Sequence, residues 1–468
     1  MPTSRDLAEA QAFERRRLVT AFVSGAPGGP EIERTRPVRP VVGGVALAVL
    51  LVAGALVARL LSGGDPAGWD QPGLVVSEDT GELFVILEQR EDPVLHPVPD
   101  VTSARLLLGP DAEPRPVSGR TIAAREPGPE LGVPGAPLVP DPDRLVRSGW
   151  SACASVDAGL AVALASAPGV RPVADRGFTV VSEGRVFVVA PGRAEPGRPQ
   201  VAYRYALPPD VEADPLLAAL GLPITAAARV VPERWLRLFP SGGDLGFASL
   251  GLDGYGDPAP GQGPGGLPVG SRIGQVVTTD GEHLQVLTAS GPAALDPFAR
   301  AVYEYADRPP LAVPLSLEPV ILPATPRVRG ALPPYAGAHW PAGPLGEEPG
   351  EPCALLVADA DEPPAVLLAA DPSGPASAAG LVTPTERIRV DPGHGSLARL
   401  DDGSSYLVDA RGAAHPLVGS DTADRLGLGE VRASRVPETW IDLFEHGVPL
   451  SRAAALCPPA RTEEPECR

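Results

Sequence analysis

Hydrophobic positions change their spacing twice along this chain. In TSRDLAEAQAFERRRLVTAF, at 3–22, Leu7, Ala10, Leu18, Ala21 and Phe22 recur at helical intervals on a face broken by Glu14, while Thr3 and Asp6 have the spacing of a capping box. The pattern predicts a helix of about five turns, with Arg15, Arg16 and Arg17 on its neighbouring side. A Gly/Pro linker leads from it into PVVGGVALAVLLVAGALVA, 19 uncharged residues between Arg39 and Arg59. At about 1.5 Å per residue, such a helix nearly covers the roughly 30 Å hydrocarbon core of a bilayer. One transmembrane helix over 41–61 is expected. A cleaved signal peptide fits less well, because its apolar core is usually about 7–15 residues and no 40-residue arm precedes it. Beyond residue 62 the apolar residues fall into short alternating runs between turn signals, which predicts β-strands.

Within that β-rich part, two stretches match. VPERWLRLFPSG at 231–242 returns as VPETWIDLFEHG at 436–447, 205 residues later, both spelling V-P-E-x-W-(L/I)-x-L-F-x-x-G. Pro at a first helical position, Glu in the first turn, an apolar face (Trp235, Leu238, Phe239; Trp440, Leu443, Phe444) and a following Gly predict a short packed helix. The shared positions are apolar or backbone-specific, so the element reads as structural rather than catalytic. A second pattern recurs around it: an acidic or Gly turn, then alternating strand residues, beginning at Val76, Val181, Val277 and Leu400. The second and fourth of these units are each followed by L-G-L (220–222; 426–428) and then by the V-P-E-x-W helix. Small units unable to bury a core alone pack on each other or on a central domain.

These patterns give a single N-terminal transmembrane helix and a large exterior α+β region, a β-rich central domain flanked by four small repeats with short helices. The divisions are 1–40 cytoplasmic amphipathic arm and linker, 41–61 transmembrane helix, 62–130 first repeat, 131–179 start of the central domain and 180–250 second repeat. They continue as 251–270 Gly/Pro-rich exposed loop, 271–310 third repeat, 311–385 central domain, 386–452 fourth repeat and 453–468 C-terminal tail.

Composition adds three constraints. With 60 Pro and 53 Gly the chain approaches disordered compositions, but 44% hydrophobic residues suffice for a loop-rich core. The formal charge of −19 argues against a nucleic-acid binder, which needs a clustered basic surface. Residues 1–40 hold seven Arg against five acids and residues 60–92 one Arg against eight, so the arm is placed in the cytoplasm and the bulk of the chain in the exterior, periplasm-like space. Cys153, Cys353, Cys457 and Cys467 all fall on the exterior side, which suggests two disulfides, with three connectivities open. The absence of a C-x-x-C pair argues against zinc.

Catalytic signatures are missing. A Walker loop needs Lys followed by Ser or Thr, and the chain has no Lys; its nearest approach is GRAEPGRP at 192–199, read as a turn. His96, His283, His339, His394, His415 and His446 form no HExxH pair, and no G-x-S-x-G elbow occurs. GHGS at 393–396 and the acidic DPD (141–143), DGYGD (253–257) and DADE (359–362) read as turns, without EF-hand spacing. No catalytic residue, cofactor site or metal site is therefore assigned.

The order of parts resembles EccB, a membrane-anchored core component of type VII (ESX) secretion systems of actinobacteria. The resemblance runs nearly end to end. It is carried by the arm with Phe13 and Arg15–Arg17, the single span, GLVVSEDTGELFVILE (73–88), SARLLLG (103–109), GVPGAP (132–137), W-S-A-C (150–153), Cys353 and the final V-P-E-T-W. It implies a Cys153–Cys353 disulfide, with Cys457 and Cys467 a second pair outside the family's minimum. It further implies a homo-oligomer within a plasma-membrane complex with EccC, EccD and EccE, the arm contacting those partners. Some members are described as ATP-hydrolysing. Three functions follow: a structural component of a secretion machine, the one favoured; an exterior nucleotide hydrolase with a non-standard ATP site; or an envelope-binding repeat module.

Overall fold

A computed structural model describes residues 4–24, 65–155, 159–322, 330–372 and 387–457. The chain divides into two compact units, Met1–Asp65 and Pro66–Arg468. In the first, one helix spans Ser4–Ser24 and exposes Phe13, Leu18 and Val19. The stretch 41–61 and Thr3 of the capping box lie outside the described residues, and no described helix is long and apolar enough to cross a membrane.

Among its described residues the second unit holds five sheets, four of which share one strand order. In each, three antiparallel strands form a meander, the chain crosses over through a short helix, and a fourth strand pairs in parallel with the first. The first meander sheet uses Gly73–Ser77, Leu83–Ile86, His96–Val98 and Pro114–Val117. The second uses Arg176–Ser182, Arg185–Pro191, Ala202–Ala206 and Arg229–Val230. The third uses Val276–Thr278, Leu284–Thr288, Gly291–Ala294 and Val320–Ile321. The fourth uses Ser396–Arg399, Ser405–Val408, Ala413–Leu417 and Ser434–Arg435. A six-stranded central sheet runs Arg387–Val390, Gly159–Leu164, Trp150–Ser155, Glu351–Val357, Ala365–Asp371, Arg171–Pro172.

Local chemistry explains the hairpins. Glu183 and Gly184, at φ 48° and 75°, make a two-residue turn whose twist matches the flanking strands. In the third meander Asp280 Oδ1 accepts from the backbone N–H of Glu282 and His283 at 2.9 and 2.8 Å, closing the turn from its own side chain. Two of the four crossover helices are capped likewise. Asp100 accepts from Ser103 N at 2.7 Å to start Val101–Leu108, and Asp296 from Ala299 N at 2.9 Å to start Pro297–Tyr305.

Shared hydrophobic clusters set the packing order. One joins the first and fourth meanders through Leu74, Val98, Leu106, Leu397, Leu407 and Leu450. Another joins the fourth meander, the central sheet and the second meander. A third joins the second and third meanders through Tyr205, Leu216, Val286 and Phe298. The stretch 243–268, which contains most of the exposed loop expected at 251–270, is irregular but anchored. Leu245, Leu250 and Leu267 are each at most 1% exposed, because glycines with positive φ, such as Gly251 and Gly265, let the backbone fold its leucines inward.

Candidate functional site

The twin V-P-E-x-W segments converge on the central sheet. Each forms a single helical turn, Glu233–Leu236 and Glu438–Ile441. Pro232 and Pro437 stand at the cap, one place earlier than the pattern predicts, with extended ψ of 144° and 143°. A fixed φ near −65° suits either position, so sequence cannot separate them. Just before the turns, Val231 N and Val436 N donate to carbonyls at the ends of the first meander strands, Val181 O at 2.9 Å and Arg399 O at 3.0 Å. Just after them, Gly242 N and Gly447 N donate to Arg204 O and Ala414 O, both at 2.9 Å. Each glycine then lies flat on the next side chain of the third meander strand. A Cβ on Gly242 would overlap the Tyr205 ring, and one on Gly447 would sit 2.5 Å from His415 Nδ1. Close approach, not a left-handed backbone, is why both copies end in glycine.

The aromatic anchors are fully enclosed. Trp235 and Trp440 are 0% exposed, and their apolar partners Leu238, Phe239, Leu443 and Phe444 are buried in the same cluster as Trp150, Ala152 and Leu356 of the central sheet. Trp235 Nε1 donates to Ala152 O at 2.9 Å, whereas among the described residues nothing accepts from Trp440 Nε1. Trp150 meets Phe444 edge to face at 5.2 Å. On the sheet they cover, Cys153 and Cys353 stand directly opposite each other on antiparallel neighbours and are joined by a disulfide, Cα atoms 4.0 Å apart across a sequence separation of 200. Cys457 is also disulfide-bonded; Cys467 lies outside the described residues.

The other candidates are dispersed. GRAEPGRP (192–199) is a turn, Arg198 N donating to Glu195 O at 3.2 Å, and Arg193 pairs with Asp296. It borders a cavity of about 410 Å³ shared with Tyr203, Tyr335, His339 and Trp340. Tyr203 and His339 stack there at 4.6 Å, 136 positions apart, which no sequence pattern signals. Burial raises the Tyr203 phenol, helped by the Glu195 charge, and pushes Tyr335 up to about 12. His96 and His394 approach the carbonyls of Pro129 and Pro392, at 3.0 and 3.1 Å, His283 pairs with Asp280 at 2.6 Å, and His446 is exposed. GHGS is a turn in which Ser396 Oγ donates to Val146 O at 2.7 Å. DPD leads into the single turn Pro142–Arg144, and Asp361 of DADE pairs with Arg432 at 2.7 Å. Among the described residues no three His, Cys, Asp or Glu are placed to hold a metal.

Comparison with known proteins agrees with this scaffold. A family model described as "Type VII secretion system ESX-1, transport TM domain B" matches residues 1–459. The chain is similar to the ESX-1 secretion system ATPase EccB1 of Mycolicibacterium smegmatis, 26% identical over 89% of this chain and 87% of that protein. It is 25% identical to EccB1 of Mycobacterium tuberculosis H37Rv, over 88% and 86%. In fold it is similar to a chain of an intact ESX-5 inner membrane complex, with TM-score 0.61, 21% identity and coverage of 99% and 97%. The likeness extends to the EccB3 dimer from the ESX-3 core complex, with TM-score 0.61, 21% identity and coverage of 82% and 99%.

Proposed function

The chain belongs to the EccB family of type VII secretion, and from that premise we propose that it is a structural core component of an ESX-type inner membrane complex for protein export. The reading places residues 41–61 across the membrane, the arm in the cytoplasm against EccC, EccD and EccE, and residues 62–468 outside, as a homo-oligomer within the complex. It treats the four meander sheets as repeats of one unit. The observation that carries it is the pair of Trp-anchored turns holding two meanders on one disulfide-bridged sheet. Sheets so fixed keep a constant separation, which suits a part that spaces its neighbours rather than one that turns over a substrate.

Deleting residues 3–22 while keeping the linker and span tests this. The chain should stay in the membrane but leave the large complex seen in detergent extracts by native gel. An unchanged complex would refute the arm's role. Cysteines introduced at position 10 and within 254–266 should be labelled from opposite sides of intact membranes, and labelling of both from outside would refute the anchor.

A second reading, nucleotide hydrolysis outside the membrane, draws on the cavity lined by Arg193, Arg198, Tyr203 and His339 and on the ATPase names of the curated relatives. The Arg193→Ala/Arg198→Ala variant of the intact complex decides it: turnover retained in that variant excludes this cavity.

A further inference from the structure

The chain has 58 acidic and 39 basic residues, and a cleft among the described residues runs against that charge. About 570 Å³ in volume, it is lined by Arg234, Arg387, Arg389 and Arg411 above an apolar floor of Leu443 and Phe444, with Asp442 and Glu445 on the remaining wall. Three elements meet there. Arg234 comes from the turn Glu233–Leu236, Arg387 and Arg389 from the outermost strand of the central sheet, and Arg411 from the turn before Ala413–Leu417. Alternation along a strand puts Arg387 and Arg389 on the same face, about 7 Å apart. Both are exposed, and among the described residues neither is within ion-pair distance of a carboxylate, although the Arg389 charge is felt by Asp391 two residues on.

Arg411 is held in place differently. Its Nε donates to Asp409 Oδ2 at 3.1 Å, and the Asp409 carboxylate is fixed in turn by the backbone N–H of Arg411 and Ala413 at 2.9 and 2.8 Å. The terminal nitrogens of Arg411 keep their donors for the cleft. Guanidinium groups present two parallel N–H bonds to an oxyanion, and a phosphoryl group has enough oxygens to take several such forks at once, where a carboxylate has two. The apolar floor suits the organic part of an ester. Nucleic acid is excluded by the overall charge, which would repel a long polyanion outside so small a patch.

From this geometry we infer that the cleft binds a phosphate-bearing ligand through Arg387 and Arg389, with Arg411 beside them. The phosphate can belong to a lipid headgroup or to a free phosphoryl compound, and two probes separate these sources. Full-length chain in discs of neutral lipid would be titrated calorimetrically with glycerol 1-phosphate, standing for a headgroup, and with inorganic tripolyphosphate. Saturable binding of either is expected, weakening with added salt. In Arg387→Gln/Arg389→Gln it should fall at least about tenfold, corresponding to about 1.4 kcal/mol, while Arg90→Gln, whose partner is Glu88, leaves it unchanged. Preference for one probe assigns the source. Should the double variant melt unlike wild type, Arg411→Gln, an exposed turn substitution, is expected to weaken binding several-fold. Absence of saturable binding of both probes at millimolar concentration, or equal weakening by Arg90→Gln, overturns the inference.

Discussion

Replacing each anchor tryptophan by phenylalanine should cost different amounts, although the two side chains sit in matched turns and are equally enclosed. Trp→Phe removes about 40 Å³, and at about 24 cal/mol per Å³ of residual cavity each site loses about 1 kcal/mol. Trp235→Phe also loses the 2.9 Å hydrogen bond to Ala152 O, a further net loss of about 1 kcal/mol. Trp440 has no acceptor for its indole N–H among the described residues; removing a buried unpaired donor returns about 1–3 kcal/mol and offsets the cavity. The expected losses are therefore about 2 kcal/mol for Trp235→Phe and near zero for Trp440→Phe. Guanidinium denaturation of the oxidised chain, followed by far-ultraviolet circular dichroism, would report the two midpoints. Hydrogen exchange of the Trp150–Ser155 amides would locate the loss, since so large a chain need not unfold in one step. Equal losses, or a larger one for Trp440→Phe, would refute the reasoning.

Other outcomes follow from the same geometry. Gly242→Ala and Gly447→Ala should each destabilise by about 1–3 kcal/mol, read as a lower melting temperature, because the new methyl meets the Tyr205 or His415 ring. Breaking the Cys153–Cys353 bridge, with a sequence separation of 200, should cost up to about 5 kcal/mol in the loop-entropy account, seen as a melting shift between the oxidised chain and Cys153→Ser/Cys353→Ser. The Asp280 carboxylate accepts from His283 and raises the imidazole above its ordinary value. A raised folded value means that the pair's contribution is complete below the unfolded value of about 6.5 and is lost as pH rises through the folded one. An NMR titration should give His283 a midpoint above about 6.5 that returns toward it in Asp280→Asn.

Short-range features were legible because a few adjacent residues encode them. The turn residues Glu183–Gly184 and Asp280–Gly281 announce hairpins through their backbone preferences. The V-P-E-x-W recurrence announces two equivalent turns through a proline, a buried tryptophan and a terminal glycine. The end-to-end order of motifs was enough to indicate the family. The 19 uncharged residues 40–58 suggest a bilayer span from length and charge alone, which are local properties, and they lie outside the described residues. What sequence left open is non-local. Spacing alone left three cysteine connectivities open and only the resemblance pointed to Cys153–Cys353; two strands 200 residues apart, set in register, place Cys153 facing Cys353. The fourth strands Arg229–Val230, Val320–Ile321 and Ser434–Arg435 are two residues long, too short for any periodicity, and exist because a crossover returns them to the first strand of their meander. The identical-looking tryptophans differ because Trp235 reaches a carbonyl of the central sheet and Trp440 does not. Arg387 and Arg411, unremarkable in sequence, share a cleft because the central sheet brings its edge strand beside the fourth meander. Turn and cap preferences act over a few residues, so the sequence shows them directly; sheet register and facing side chains depend on which distant apolar surfaces pack together, and only the folded chain decides that.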